Sequence, residues 1–199
     1  MEYLFNKDTM NHVISRIVVS NTGPMISALQ SNCMHILLQL YDRIYIPVDE
    51  IQEYRKHGAD QEIGKLIESG FIVVHQDFVP EENEAAKVIA AEIADHHLTR
   101  EKNPEHHLPE AFAIVLMLGK SSQAVELLID ELAARDAAHR RKIPIIGFPG
   151  ILVRACWQRI IEPEDVLLAL TECQRQGTHY STKLINEVYR SLKDSSKRL

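Results

Sequence analysis

Short β-type apolar runs recur along this chain with helical stretches between them, and that alternation restricts the fold more than any other feature. Ile17-Val18-Val19-Ser20, Arg43-Ile44-Tyr45-Ile46, Phe71-Ile72-Val73-Val74-His75, Glu126 to Ile129 and Ile143-Pro144-Ile145-Ile146 read as five strands. Helical patterns fill the intervals. They cover Met25 to Tyr41 with an interruption near Gln30-Ser31-Asn32, Val48 to Lys56, Gln61 to Glu68, Pro80 to Ala94, Pro109 to Leu118 and Asp130 to Arg141. A helical tail runs from Pro149 to about Leu192 with a break at Gly177. Strands separated by helices pair in parallel through crossovers, not as hairpins. The expected class is therefore α/β, a central and mostly parallel sheet with flanking helices.

The remaining bulk properties fit one soluble domain. The chain has 199 residues, enough to bury a core without staples. Residues 1–16 read as an N-terminal extension, 17–192 as the domain and 193–199 as a polar tail. Cys33, Cys156 and Cys173 are odd in number, widely spaced and set in apolar segments, which suits reduced core thiols. The first residues lack the pattern of a secretory signal, and no apolar run reaches the ~18–20 residues of a membrane span. A cytoplasmic location is expected. The net charge of −6, without a dense basic run, excludes a generic nucleic-acid coat. It leaves room for a nuclease with an acidic, metal-loaded centre.

In a parallel sheet the functional crevice lies beyond the carboxyl ends of the strands. Asn21 directly follows the first strand and Asp130 the fourth, so these two are expected to face each other. Glu53, on the helix after the second strand, and Glu110, in the first turn of the helix from Pro109, can close the ring. Carboxylates in close range raise each other's pKa, and a hard divalent cation relieves that repulsion. Each residue also has an ordinary structural role open to it. Asp130 suits a helix N-cap, Glu110 a helix N-terminus, Asn21 a turn and Glu53 a solvated helix face. The pairs His96-His97 and His106-His107 flank a polar stretch that reads as a solvated loop; no HExxH pattern supports a zinc site.

Five segments, in order, resemble the motifs of VapC-like PIN domains. They are Ile17 to Ile26, Ile46-Pro47 followed by Glu53-Tyr54, Pro109-Glu110-Ala111-Phe112-Ala113-Ile114-Val115-Leu116, Leu127 to Arg135, and Ile143 to Gly147 followed by Gly150-Ile151-Leu152. The resemblance covers roughly residues 17 to 192. It implies a three-layer α/β/α sandwich and a Mg²⁺- or Mn²⁺-dependent endoribonuclease, often a toxin paired with an antitoxin and often a homodimer. By that resemblance Glu53, Glu110 and Asp130 hold the cation and Asn21 completes the shell.

Two departures stand out. The first acid of the family's pattern is Asn21 here, although some members of the nearest subgroup also carry Asn, and the second acid of the third motif is Phe112, expected to face the core. Asn offers a cation a carbonyl oxygen but no charge. If Asn21→Asp alone gained cation binding, the fold would keep the site while the chain had lost its charge. The alternative is thus a catalytically impaired module that binds RNA or a protein partner. Thr22 has a ligand or the turn as partner, and Arg135 a phosphate or Glu131. The leucine-rich tail covers the core, forms a dimer seam or receives an antitoxin helix.

Overall fold

The computed structural model describes residues 16–120 and 123–196; the N-terminal extension before residue 16 and residues 197–199 of the polar tail lie outside the described residues. Five strands form one sheet: β1 (Ile17–Ser20), β2 (Arg43–Pro47), β3 (Ile72–His75), β4 (Ala124–Leu128) and β5 (Ile145–Ile146). Their order is β3-β2-β1-β4-β5, and every pairing is parallel. The chain steps outward from β1 to β3 on one side and from β4 to β5 on the other. The switch in direction therefore falls between β1 and β4, the usual place for a crevice in such a sheet.

Successive side chains of a strand point to opposite faces, and the two cores follow that rule. Val18 and Leu128 face one core, closed by α1 (Thr22–Gln30), α2 (Met34–Leu40), α3 (Glu50–Lys56), α4 (Asp60–Glu68), α8 (Phe148–Trp157), α9 (Pro163–Arg175) and α10 (Thr182–Ser196). Val19, Leu127 and Ile129 face the other, closed by α5 (Pro80–Asp95), α6 (Leu108–Gly119) and α7 (Leu132–Arg140). The result is the expected three-layer sandwich. The apolar spacing of Ala85, Ala86, Ile89, Ala90 and Ile93 predicts one buried stripe on α5; four of the five are inside, while Ala85 is exposed.

Several boundaries differ from the sequence reading. The strand expected at Glu126 to Ile129 begins earlier, at Ala124, because β1 pairs with it from Ile17 onward. The helix expected to begin at Asp130 begins at Leu132. The tail breaks at Gly177 (φ 98°), as read, and also at Arg159 (φ 58°). A left-handed arginine leaves no glycine to signal the break. Asn32 (φ 55°) separates α1 from α2 where the interruption was read. Phe112 is partly buried and packs on Phe78, with ring centroids 4.6 Å apart, so it sits at the edge of the second core.

Candidate functional site

The backbone places Asn21 first. Its N–H donates to the Leu128 carbonyl at 2.9 Å, one step past the end of the β1–β4 ladder. Its side chain then caps α1, Oδ1 accepting the Gly23 N–H at 3.2 Å. Asp130 lies across the gap: a Cβ on Gly23 would come 3.5 Å from Asp130 Cβ, 3.6 Å from Asn21 Oδ1 and 3.8 Å from Asp130 Oδ2. The switch point thus brings the two residues together, and Gly23 keeps the space between them open.

Asp130 is not the helix cap that its position suggests. Glu131 takes that role, its carboxylate accepting the Ala134 N–H. This frees Asp130 to turn inward. Its Oδ1 accepts the Phe148 N–H at 2.9 Å, at the start of α8, and its Oδ2 accepts the Tyr180 hydroxyl at 2.9 Å. Tyr180 spends its single proton on Asp130, so the Ser27 hydroxyl, 3.0 Å away, donates to Tyr180. Burial pushes the Asp130 carboxyl up, against the lowering effect of the Phe148, Tyr180 and Arg135 contacts. Arg135 donates to the Ile129 carbonyl at 3.0 Å and does not pair with Glu131. Gly147 leaves the room these groups occupy: a Cβ would meet Asp130 Oδ1 at 2.5 Å and Arg135 Nη1 at 2.7 Å, and those side-chain ends would have to shift.

Glu110, in the first turn of α6, has one carboxylate oxygen, Oε2, that is buried without a hydrogen-bond partner among the described residues. Burial raises its pKa first, with Glu131 and Glu53 adding to the shift. Glu53 lies on α3 and pairs with Lys56, one turn on. All four sequence-read residues line a single cavity of about 860 Å³. Lys56, His57, His106 and His179 stand in the same wall.

Three participants were not read from the sequence. Tyr180 arrives from the tail, 50 residues beyond Asp130. Gly147 is legible in the sequence only as the stop of the last strand; its close approach to Asp130 is tertiary. Glu50 precedes Glu53 by three residues on α3, a spacing that puts both on one helix face and was available as a clue. Glu50 is fully buried; it accepts from Asn21 Nδ2 at 3.1 Å and from the Thr22 hydroxyl. Burial drives its carboxyl well above the usual range, and Glu110 pushes it further. Thr22 therefore serves Glu50. The Tyr54 hydroxyl, fully buried and within electrostatic reach of Glu50, approaches the Thr22 side chain but makes no well-formed hydrogen bond among the described residues.

The stretch around the histidine pairs is more ordered than a solvated loop. Pro104–His107 forms a short 3-10 turn, His107 is buried with Nε2 2.9 Å from the Glu101 carbonyl, and Thr99 hydrogen-bonds the Ile93 carbonyl at 2.8 Å. The Thr99 contact takes a carbonyl that the end of α5 leaves open, and the His107 contact takes one within the loop itself.

A divalent cation wants hard oxygen donors. The cavity offers an unpartnered Glu110 oxygen, the Glu53 and Asp130 carboxylates and the Asn21 carbonyl. Among the described residues no three His, Cys, Asp or Glu groups form a ready cage. This donor set fits a cation of the Mg²⁺ type, held by one or two carboxylates and water. No helix among the described residues is long and apolar enough to cross a membrane.

A search of curated proteins finds no match to the chain. The family model described as DUF3368, PIN domain, matches residues 17–194.

Proposed function

The chain belongs to the PIN-domain family, whose members are nuclease-type proteins that generally use divalent metal ions, and from that premise we propose that it is a Mg²⁺- or Mn²⁺-dependent endoribonuclease. One observation carries the reading: Asn21, Glu53, Glu110 and Asp130, from four separate stretches, line one cavity in which a buried Glu110 oxygen has no partner among the described residues. A buried carboxylate left unsatisfied by its own fold is costly, and a cation removes the cost.

When bound, the cation supplies Lewis acidity and a water of lowered pKa. The chain's own groups do the rest. Phe148 N–H and the Tyr180 hydroxyl hold both oxygens of Asp130 in place. Glu110 keeps an oxygen free to take a ligand or a proton. Lys56 and the imidazoles of His57, His106 and His179 give the wall donors for phosphate oxygens. The RNA contact is thereby local, in keeping with a net charge of −6.

Incubation of the purified chain with single-stranded RNA and Mn²⁺ tests the proposal. Cleavage is expected in the parent and lost in Asp130→Asn; equal cleavage by both would show that the residues are wrongly assigned. A role as toxin predicts, in addition, that the product of an adjacent small reading frame suppresses cleavage on co-expression. A homodimer predicts twice the chain mass by light scattering.

A second reading is favoured by Asn21. Both polar ends of its amide are engaged by Gly23 and Glu50, so the chain has a shell with an amide where the motif expects an acid. On that reading the module binds RNA or a protein without cutting. Binding in a filter assay with no cleavage in Mg²⁺, Mn²⁺ or Co²⁺ would establish it.

A further inference from the structure

Asn21 has two polar ends, and they face different surroundings. Its Oδ1 accepts the Gly23 N–H and lies 3.6 Å from the space that a Gly23 Cβ would fill, on the side of Asp130. Its Nδ2 turns the other way and donates to Glu50 Oε1 at 3.1 Å. The second Glu50 oxygen takes the Thr22 hydroxyl. Glu50 is 0% exposed and does not line the cavity. With Glu50 ionised, an inverted amide would set Oδ1 against a carboxylate oxygen and Nδ2 against the Gly23 N–H, acceptor on acceptor and donor on donor. The pairing therefore fixes which end of Asn21 looks into the site.

We propose that Asn21 and Glu50 act as one unit, with Glu50 a positioning residue that holds the Asn21 carbonyl oxygen toward the cavity and supplies, one hydrogen bond behind it, the carboxyl group that residue 21 lacks. This rests on the cation-site reading above. The acid that the motif places after β1 is carried instead by α3. Asn21→Asp then does not repair the site. It sets two carboxyl groups in contact with no amide hydrogen between them, and like charges at that range oppose each other.

The experiment compares the parent with Asn21→Asp, Glu50→Gln and the double variant, by thermal unfolding without metal and by calorimetric titration with Mn²⁺. Glu50→Gln keeps an acceptor for Asn21 Nδ2, so it folds with a midpoint at or above the parent's and binds Mn²⁺ about 10-fold more weakly. Asn21→Asp alone unfolds roughly 4 °C or more below the parent. The double variant regains the parent's midpoint and recovers most of the Mn²⁺ affinity, because the carboxyl group has moved to residue 21 and its partner has become the amide. A merely structural Glu50 would move the midpoint and leave Mn²⁺ affinity unchanged. Parent-like Mn²⁺ binding by Glu50→Gln, or a parent-like midpoint for Asn21→Asp, overturns the proposal. If the parent takes up no Mn²⁺, the cation-site reading fails, and the unfolding arm decides the pairing alone. Recovery in the double variant supports it; additive losses overturn it.

Discussion

Two carboxylates sit four residues apart at β4 and receive opposite treatment. Glu126, buried on the strand, meets Arg154 of α8 through both oxygens, the Nη2–Oε2 contact being 2.9 Å, and takes the Tyr41 hydroxyl at 2.9 Å. Arg154 also reaches Tyr41 at 3.1 Å, so the cluster is closed. Asp130, just past the strand, meets no such bidentate partner; it is held by a backbone N–H and a tyrosine, and it shares its cavity with Glu53 and the unpartnered Glu110 oxygen. The fold can neutralise a buried acid when it brings an arginine. Here Arg135 acts on Asp130 only through space, and no arginine among the described residues hydrogen-bonds Glu110 or Glu50, which suits this end of the sheet to a ligand from outside.

The contrast breaks most sharply at Arg154. Arg154→Met leaves Glu126 buried without its cation and is expected to cost about 3–5 kcal/mol in urea unfolding, with any residual folded protein keeping its cavity chemistry. A loss below about 1 kcal/mol would mean that the Glu126 cluster is no more than a surface pair. Asp130→Asn is the converse. It preserves an acceptor for Phe148 N–H, and the Tyr180 hydroxyl can reverse its role, so stability should move by less than about 1 kcal/mol. RNA cleavage should fall by about 10²–10³-fold, the scale of losing one preorganised electrostatic group.

Gly147→Ala displaces Asp130 without touching a charge. The new methyl must displace Asp130 Oδ1 or Arg135, which lie 2.5 and 2.7 Å from its position. Backbone φ at Gly147 is −98°, open to alanine, so the effect is positional. Cleavage is expected to drop roughly 10-fold or more, with a small change in unfolding midpoint. Tyr54→Phe is the mildest variant. It removes a buried hydroxyl that makes no well-formed hydrogen bond among the described residues and only approaches Thr22, and stability should hold within about 1 kcal/mol.

The two kinds of acid also predict opposite pH limbs. Arg141 beside Glu92 holds that carboxyl below its usual 4.5, so its contribution is present above that value and lost as pH falls. Glu50, Glu110 and Asp130 are raised, mainly by burial, so the folded chain binds protons more tightly than the unfolded one. Their protonated forms favour the fold, and stability of the cation-free protein falls as pH rises upward from the ordinary carboxylate values of 4.5 and 3.8. Unfolding midpoints across that range, with and without Mn²⁺, check this; the high-pH limb should flatten when the cation is added.

Much of the architecture was legible because it rests on local patterns. Five apolar runs gave five strands, and their spacing by helices gave the parallel sheet. The convergence of Asn21 and Asp130 followed from that topology alone. What escaped was tertiary. Whether Asp130 or Glu131 caps α7 depends on Phe148 and Tyr180, which compete for Asp130 from distant parts of the chain. The three-residue spacing puts Glu50 and Glu53 on one face of α3, but only packing decides that Glu50 is the one sealed against β1. The role of His107 was likewise hidden, because a buried imidazole on a backbone carbonyl reads locally as one more polar residue.

If a divalent cation completes the cavity beyond β1 and β4, the Glu110 oxygen that lacks a partner among the described residues is where its loss shows. Calorimetric titration of Mn²⁺ into the parent and into Glu110→Gln tests it most directly, since that substitution replaces the oxygen that lacks a partner while keeping its shape. Binding by the parent, weakened by about 10-fold or more in the variant, is the result predicted. No uptake by the parent, or equal uptake by both, would contradict it.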